Sequence, residues 1–212
     1  YDQTLYSLGG TGFWQRHGLV LYFDPTLREW ERSSPFYGMP EAFTMSFGAF
    51  ADSSTVLMCN SPDNTLEPSL TDYRVYRVNL KDREAETVGV FSLDDGNREH
   101  KVIPIGYIRE YAFFDVDGFL FVGDARTNKL YQWKDLISGT GPFNGFEGVV
   151  LQNDTVNLIY SASTITNPSV RITRVAYEEV LEYCEDSGKA LYRTTAEQLW
   201  WRYTSEFTIV FF

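Results

Sequence analysis

Carboxylates supply most of the chemistry this chain could offer. Asp115 and Asp117 flank one reversal of the chain, Val116-Asp117-Gly118-Phe119, and Asp124 follows a few residues later, read as lying across from them. Two carboxyl groups held roughly 5 to 10 Å apart can hydrolyse a glycosidic bond, one giving a proton while the other attacks or activates water. The same residues are also ordinary turn formers, because an aspartate side chain accepts hydrogen bonds from nearby backbone amides. Transition-metal chemistry has less to work with. The chain holds 2 histidines, His17 and His100, with no His-x-x-x-His or Cys-x-x-Cys spacing, so a zinc or copper site needs ligands gathered from distant positions. Gly9-Gly10-Thr11-Gly12 is glycine-rich, yet no Lys-Ser or Lys-Thr follows and its neighbours read as strands, which suits a turn better than a phosphate cradle. No catalytic residue, metal or cofactor is assigned.

Recognition is better served. The segment from Thr11 to Gly18 carries Phe13, Trp14, Arg16 and His17, residue types enriched where binding energy concentrates. The competing reading folds Phe13 and Trp14 back onto neighbouring strands. With 29 acidic against 18 basic residues the formal charge is -11, which repels phosphate backbones and anionic headgroups, so the expected partner is a protein or a glycan and not nucleic acid.

The elements that must position these residues read as β-structure. Aromatics make up 17% of the chain, a load that suits sheets more than helical bundles. Apolar runs separated by polar turns recur along the sequence: Leu19 to Phe23, then Asp24-Pro25-Thr26; Thr55 to Cys59 after Asp52-Ser53-Ser54; Tyr73 to Val78, then Asn79 to Glu84; Phe119 to Val122 after Asp117-Gly118; and Thr155 onward after Asn153-Asp154. Asp-Gly between apolar runs marks a tight hairpin, because both turn residues must reach positive φ. These meanders repeat at roughly 45 to 55 residues, the spacing of four-stranded propeller blades. The expected fold is all-β, a propeller-like array of about four antiparallel blades over residues 1–175, either a complete small ring or part of a larger one. A short helical segment follows over 176–205, with a helix at 176–183 and a capping box at Thr194-Thr195-Ala196-Glu197.

Residues 206–212 have two readings: a strand that closes the first blade, or, with Trp200, Trp201 and Tyr203 as an interfacial belt, the start of a truncated membrane segment near a bilayer. The run is far shorter than the roughly 20 residues a span requires, which favours the strand. Cys59 and Cys184 permit one disulfide, worth about 4 to 5 kcal/mol over so long a loop, but their apolar and acidic surroundings favour two buried free thiols. Asn153-Asp154-Thr155 has the form of a glycosylation sequon as well as of a turn. The chain begins at Tyr1 without a charged-then-apolar leader and reads as a processed, excised or partial chain.

The opening unit resembles a kelch repeat, of the kind found in kelch propellers and in the central domain of galactose oxidase. Gly9-Gly10 supply that family's glycine pair, and Phe23 stands for its usual tyrosine, separated by Asp24 to Glu29 from Trp30. The resemblance covers about 30 residues, and it implies that the aromatic and the tryptophan pack between adjacent blades. Later units depart from it: Val78 and Ala85 keep the spacing without aromatics, Cys59-Asn60 replaces the glycine pair, and the third unit keeps Trp133 with only Gly123. The copper-binding tyrosine crosslinked to cysteine that galactose oxidase chemistry needs has no counterpart. Ser92-Leu93-Asp94-Asp95-Gly96-Asn97 is similar to the first half of the Asp box of sialidase-type propellers, a turn-stabilising element remote from catalysis. The kelch resemblance implies a non-enzymatic binding or scaffold module. The alternatives are a carbohydrate-active propeller, hydrolase or lectin-like, and a segment of a larger membrane-associated assembly. An acidic, aromatic-rich surface points to an extracytoplasmic setting.

Overall fold

The structure, a computed structural model, describes residues 4–12, 15–40, 45–60, 74–91, 102–137, 144–162 and 169–194. Strands β1 (Tyr6–Gly12), β2 (Gln15–Asp24) and β3 (Glu29–Arg32) form the first sheet. The second is built from β4 (Met45–Phe50), β5 (Thr55–Asn60), β6 (Arg74–Asn79) and β7 (Glu84–Phe91), and the third from β8 (Val102–Ile108), β9 (Tyr111–Val116), β10 (Phe119–Asp124) and β11 (Lys129–Ile137). The fourth contains β12 (Asn144–Gln152), β13 (Thr155–Ala162) and β14 (Val170–Ala176). All pairings between the strands of the described residues are antiparallel, and the four sheets follow one another in a ring like the blades of a four-bladed propeller.

One turn recurs in three blades, and its cause is local. Asp24, Asn79 and Asp124 each end the strand that precedes the turn, and the side-chain oxygen of each accepts backbone amides two and three residues ahead: Thr26 and Leu27, Lys81 and Asp82, Arg126 and Thr127. Each turn closes on a residue with positive φ, Arg28, Arg83 or Asn128 at 55 to 58°. Phe23 then pairs with Trp30, Val78 with Ala85, and Gly123 with Leu130. Leu130, not Trp133, therefore occupies the third blade's equivalent of Trp30. Asp117-Gly118 turns with φ of 53° and 90°, as the hairpin signal requires.

Packing between blades explains why the central strands read as continuous apolar runs instead of alternating ones. On β5, Val56 and Met58 join Val20 of the first sheet and Tyr76 and Val78 of β6 in one core, while Leu57 and Cys59 on the opposite face join Phe114, Leu130 and Phe91 in the next. On β9 and β10, Phe113, Leu120 and Val122 face the fourth sheet and pack with Val156, Leu158 and Val175. Both faces of the middle blades are thus buried, and each large side chain so covered stabilises the fold by roughly 1.5 to 3 kcal/mol. The rings of Phe91 and Phe114 meet edge to face at 5.2 Å across the junction of the second and third blades.

After β14 the chain forms a 3₁₀ helix, Tyr177–Tyr183, and then returns to strand. β15 (Cys184–Ala190) adds a fifth strand to the third blade beside β11, and β16 (Tyr192–Arg193) adds a fifth to the second blade beside β7. Leu191 between them is fully buried. Asn128, held at positive φ, donates from Nδ2 to the Tyr192 carbonyl and accepts the Tyr192 amide on Oδ1, while its own carbonyl accepts the Leu191 amide. One strap from late in the sequence thereby sews the two middle blades together at their rim. Among the described residues no helix is long and apolar enough to cross a membrane.

Candidate binding surface

Of the expected contact residues, Arg16 and His17 fall at one end of the first sheet. Arg16 and His17 lie on β2 with their backbones opposite Thr11 and Gly10, and the hairpin they belong to sits at the end opposite the Asp24 turn. Phe13 and Trp14 lie outside the described residues, as do the Asp-box-like segment 92–97, the capping box beyond Thr194 and the run 206–212.

Asp124 does not converge with Asp115. Asp115 stands opposite Leu120 near the β9–β10 turn, where its Oδ1 accepts the Gly118 amide at 2.7 Å, whereas Asp124 stands opposite Tyr111 at the far end of the same hairpin. Four rungs of the ladder separate them, roughly 13 Å at strand rise, beyond the separation glycoside hydrolysis uses. Asp124 is further occupied by the Thr127 hydroxyl on Oδ2 at 2.7 Å. Geometry makes these residues turn formers, and the reading of Asp124 as lying across from the other two is corrected. Among the described residues no three of His, Cys, Asp and Glu stand together as a metal site. Cys59 and Cys184 are free, buried in different inter-blade cores, and burial raises both thiols, Cys184 to about 12.

What the sequence did not disclose is a polar cluster across the third and fourth blades. Tyr107 to Val116 reads as one strand, but Arg109, at a φ of 50°, and Glu110 reverse the chain between β8 and β9. The Arg109 carbonyl accepts the Phe50 amide of the second blade, and its guanidinium pairs with Asp154 of the fourth at 3.2 Å and lies 4.4 Å over the Tyr177 ring. Glu110 accepts the Tyr177 hydroxyl and pairs with Arg126 at 3.1 Å. Burial pushes the Glu110 carboxyl up, but the bonds from Tyr177, from the Glu110 backbone amide and from Arg126 outweigh it and hold the group below its ordinary value. Burial, followed by the charges of Asp124 and Glu110, raises Tyr111 to about 12, and burial with the Glu110 bond raises Tyr177 further. A charged dipeptide interrupting an apolar run was the only local signal for this cluster.

Two exposed guanidinium groups beside two phenols offer fixed donors next to aromatic faces, a composition suited to holding polar groups of a partner. The cluster lies at the ends of the blades where the first-to-second and third-to-fourth strand turns gather, because the Phe50–Arg109 and Ala125–Glu110 backbone bonds and the Arg109–Asp154 pair align those ends. Compared with protein-family models and with curated proteins, the chain matches none.

Proposed function

We propose that this propeller is a non-enzymatic binding module with kelch-type blades, recognising a protein or a glycan outside the cytoplasm. The observation that carries the reading is the use of the side chains: Asp115 and Asp124, the carboxylates first considered for catalysis, stand apart and are engaged by backbone amides of rigid turns, while arginine and aromatic residues remain at the blade ends. Repeated blades then present many turns on one stiff frame, which suits recognition. The kelch assignment rests on Gly9-Gly10, on Phe23 and Trp30 meeting edge to face at 5.6 Å, and on the recurrence of the same turn in two further blades.

The test compares wild type with Trp14→Ala on a glycan array and in protein pull-downs, with thermal unfolding as the control for folding. The expected result is a ligand bound by wild type and bound at least tenfold more weakly by the variant. Equal binding by both removes the Thr11–Gly18 loop from the surface. Turnover of a glycoside by wild type, abolished in Asp115→Asn, replaces the reading with a carbohydrate-active enzyme.

A further inference from the structure

Sheet edges expose unpaired backbone groups, and proteins blunt them with bulges, shortness or charge. Most edges formed by the described residues are blunted in this way. β1, β4, β8 and β12 carry register shifts, β15 pairs with β11 across another, β3 has four residues and β16 two. The exception is β14, which pairs with β13 over seven consecutive residues without a shift and has no strand on its other side among the described residues. Among the described residues the second and third blades each have five strands and the fourth has three.

The composition of β14 says what would complete it. Val170, Ile172 and Arg174 share one face by strand periodicity, and that face is open: Val170 is 70% exposed and Ile172 49%, with Val150 of β12 at 51% on the same side. Arg171 and Arg174 are both exposed, and among the described residues neither forms an ion pair. Arg174 donates only from Nε, to Asn157, at 3.2 Å. On a chain of formal charge -11 this edge carries two cations, Arg174 on the open face and Arg171 on the opposite one, with β-branched residues between them. A second copy, equally acidic, is disfavoured by overall repulsion.

We infer that β14 is a docking edge for an extended peptide that sets acidic residues opposite Arg171 and Arg174 and β-branched residues at the positions between and beside them, added antiparallel as a fourth strand. Backbone bonds supply affinity in such strand addition, and the side chains set register. Opposite Arg174, Thr173, Ile172, Arg171 and Val170, the peptide reads Glu, Thr, Val, Glu, Val. Edge arginines also deter self-pairing. The inference rests on the binding-module reading but fails separately from it, since the Trp14→Ala comparison leaves β14 and its two arginines unaltered.

The experiment titrates the full chain into a fluorescein-labelled peptide, Thr-Glu-Thr-Val-Glu-Val-Thr, and reads anisotropy at low and high salt. Wild type is expected to bind, with binding weakened by salt and at least tenfold by the double substitution Arg171→Glu, Arg174→Glu. The peptide with lysine in place of glutamate should restore binding to that variant, which shows that its blade is folded. No binding by wild type, or binding indifferent to charge reversal, overturns the proposal. Concentration-dependent dimerisation lost in the double variant assigns the edge to a second copy and overturns it as well. Binding that appears only when the chain is cut after Thr194 assigns the edge to this chain's own C-terminal residues, with the same consequence.

Discussion

Glu110 shows how a single carboxylate comes to tie two blades together. Its side chain is only 16% exposed, and it receives a phenol from the fourth blade and a guanidinium from the neighbouring turn. Because its folded pKa lies below the ordinary 4.5, the unfolded chain binds a proton more readily than the folded one, so its contribution is present above pH 4.5 and fades as pH falls through the depressed value. Asp52, held down by the Ser54 amide, and Asp186, held down first by the Gly188 amide and then by Lys129, act in the same direction. Glu110→Gln is expected to cost about 1.5 to 3 kcal/mol at pH 7, the range for hydrogen bonds to charged groups. It should also flatten part of the loss that sets in as pH falls below 4.5. Urea titrations at pH 7 and pH 3 measure both quantities, and an unchanged pH slope in the variant would exclude the role given to Glu110.

The strap formed by β15, Leu191 and β16 depends on close approach between distant segments. A Cβ added at Gly123 would stand 2.5 Å from Leu191 Cδ1, and one at Gly89 would stand 2.1 Å from the Arg193 carbonyl oxygen. Leu191 cannot swing away because it is fully buried. Gly123→Ala should therefore destabilise the fold by about 1 to 3 kcal/mol through overpacking, and Leu191→Ala by about 2 to 5 kcal/mol through the cavity it leaves. Together they should cost less than their sum, since the added methyl occupies space vacated by leucine. A double-mutant cycle by chemical denaturation checks this, and strict additivity would mean that the strap is not seated on β10.

Across the whole molecule, stability follows from how many faces each blade covers. The second and third blades are buried on both sides, while β3 and β14 run along exposed rims. Backbone amides there open by small fluctuations, whereas those of β5, β9 and β10 open only when the middle of the fold comes apart. Native-state hydrogen exchange should rank β5, β9 and β10 slowest, β3 and β14 fastest, with β15 slower than β14 despite its later place in the chain. Equal protection of β14 and β9 would contradict this ordering.

How much of this was legible in the residues depends on distance along the chain. Asp24, Asn79 and Asp124 could be read as turn formers because their bonds reach only two or three residues ahead, and the doubly apolar runs around Leu57 and Phe114 announced strands without naming which neighbours would cover them. Local hydrogen bonding and strand periodicity were therefore settled by the sequence alone. Tertiary structure decided the rest: the Arg109–Asp154 pair spans 45 positions and the Asn128–Tyr192 bonds span 64, so no local pattern encodes them. The separation of Asp115 from Asp124 and the unshifted edge of β14 likewise emerge only when strands take their register, because register is a property of paired segments and not of either one.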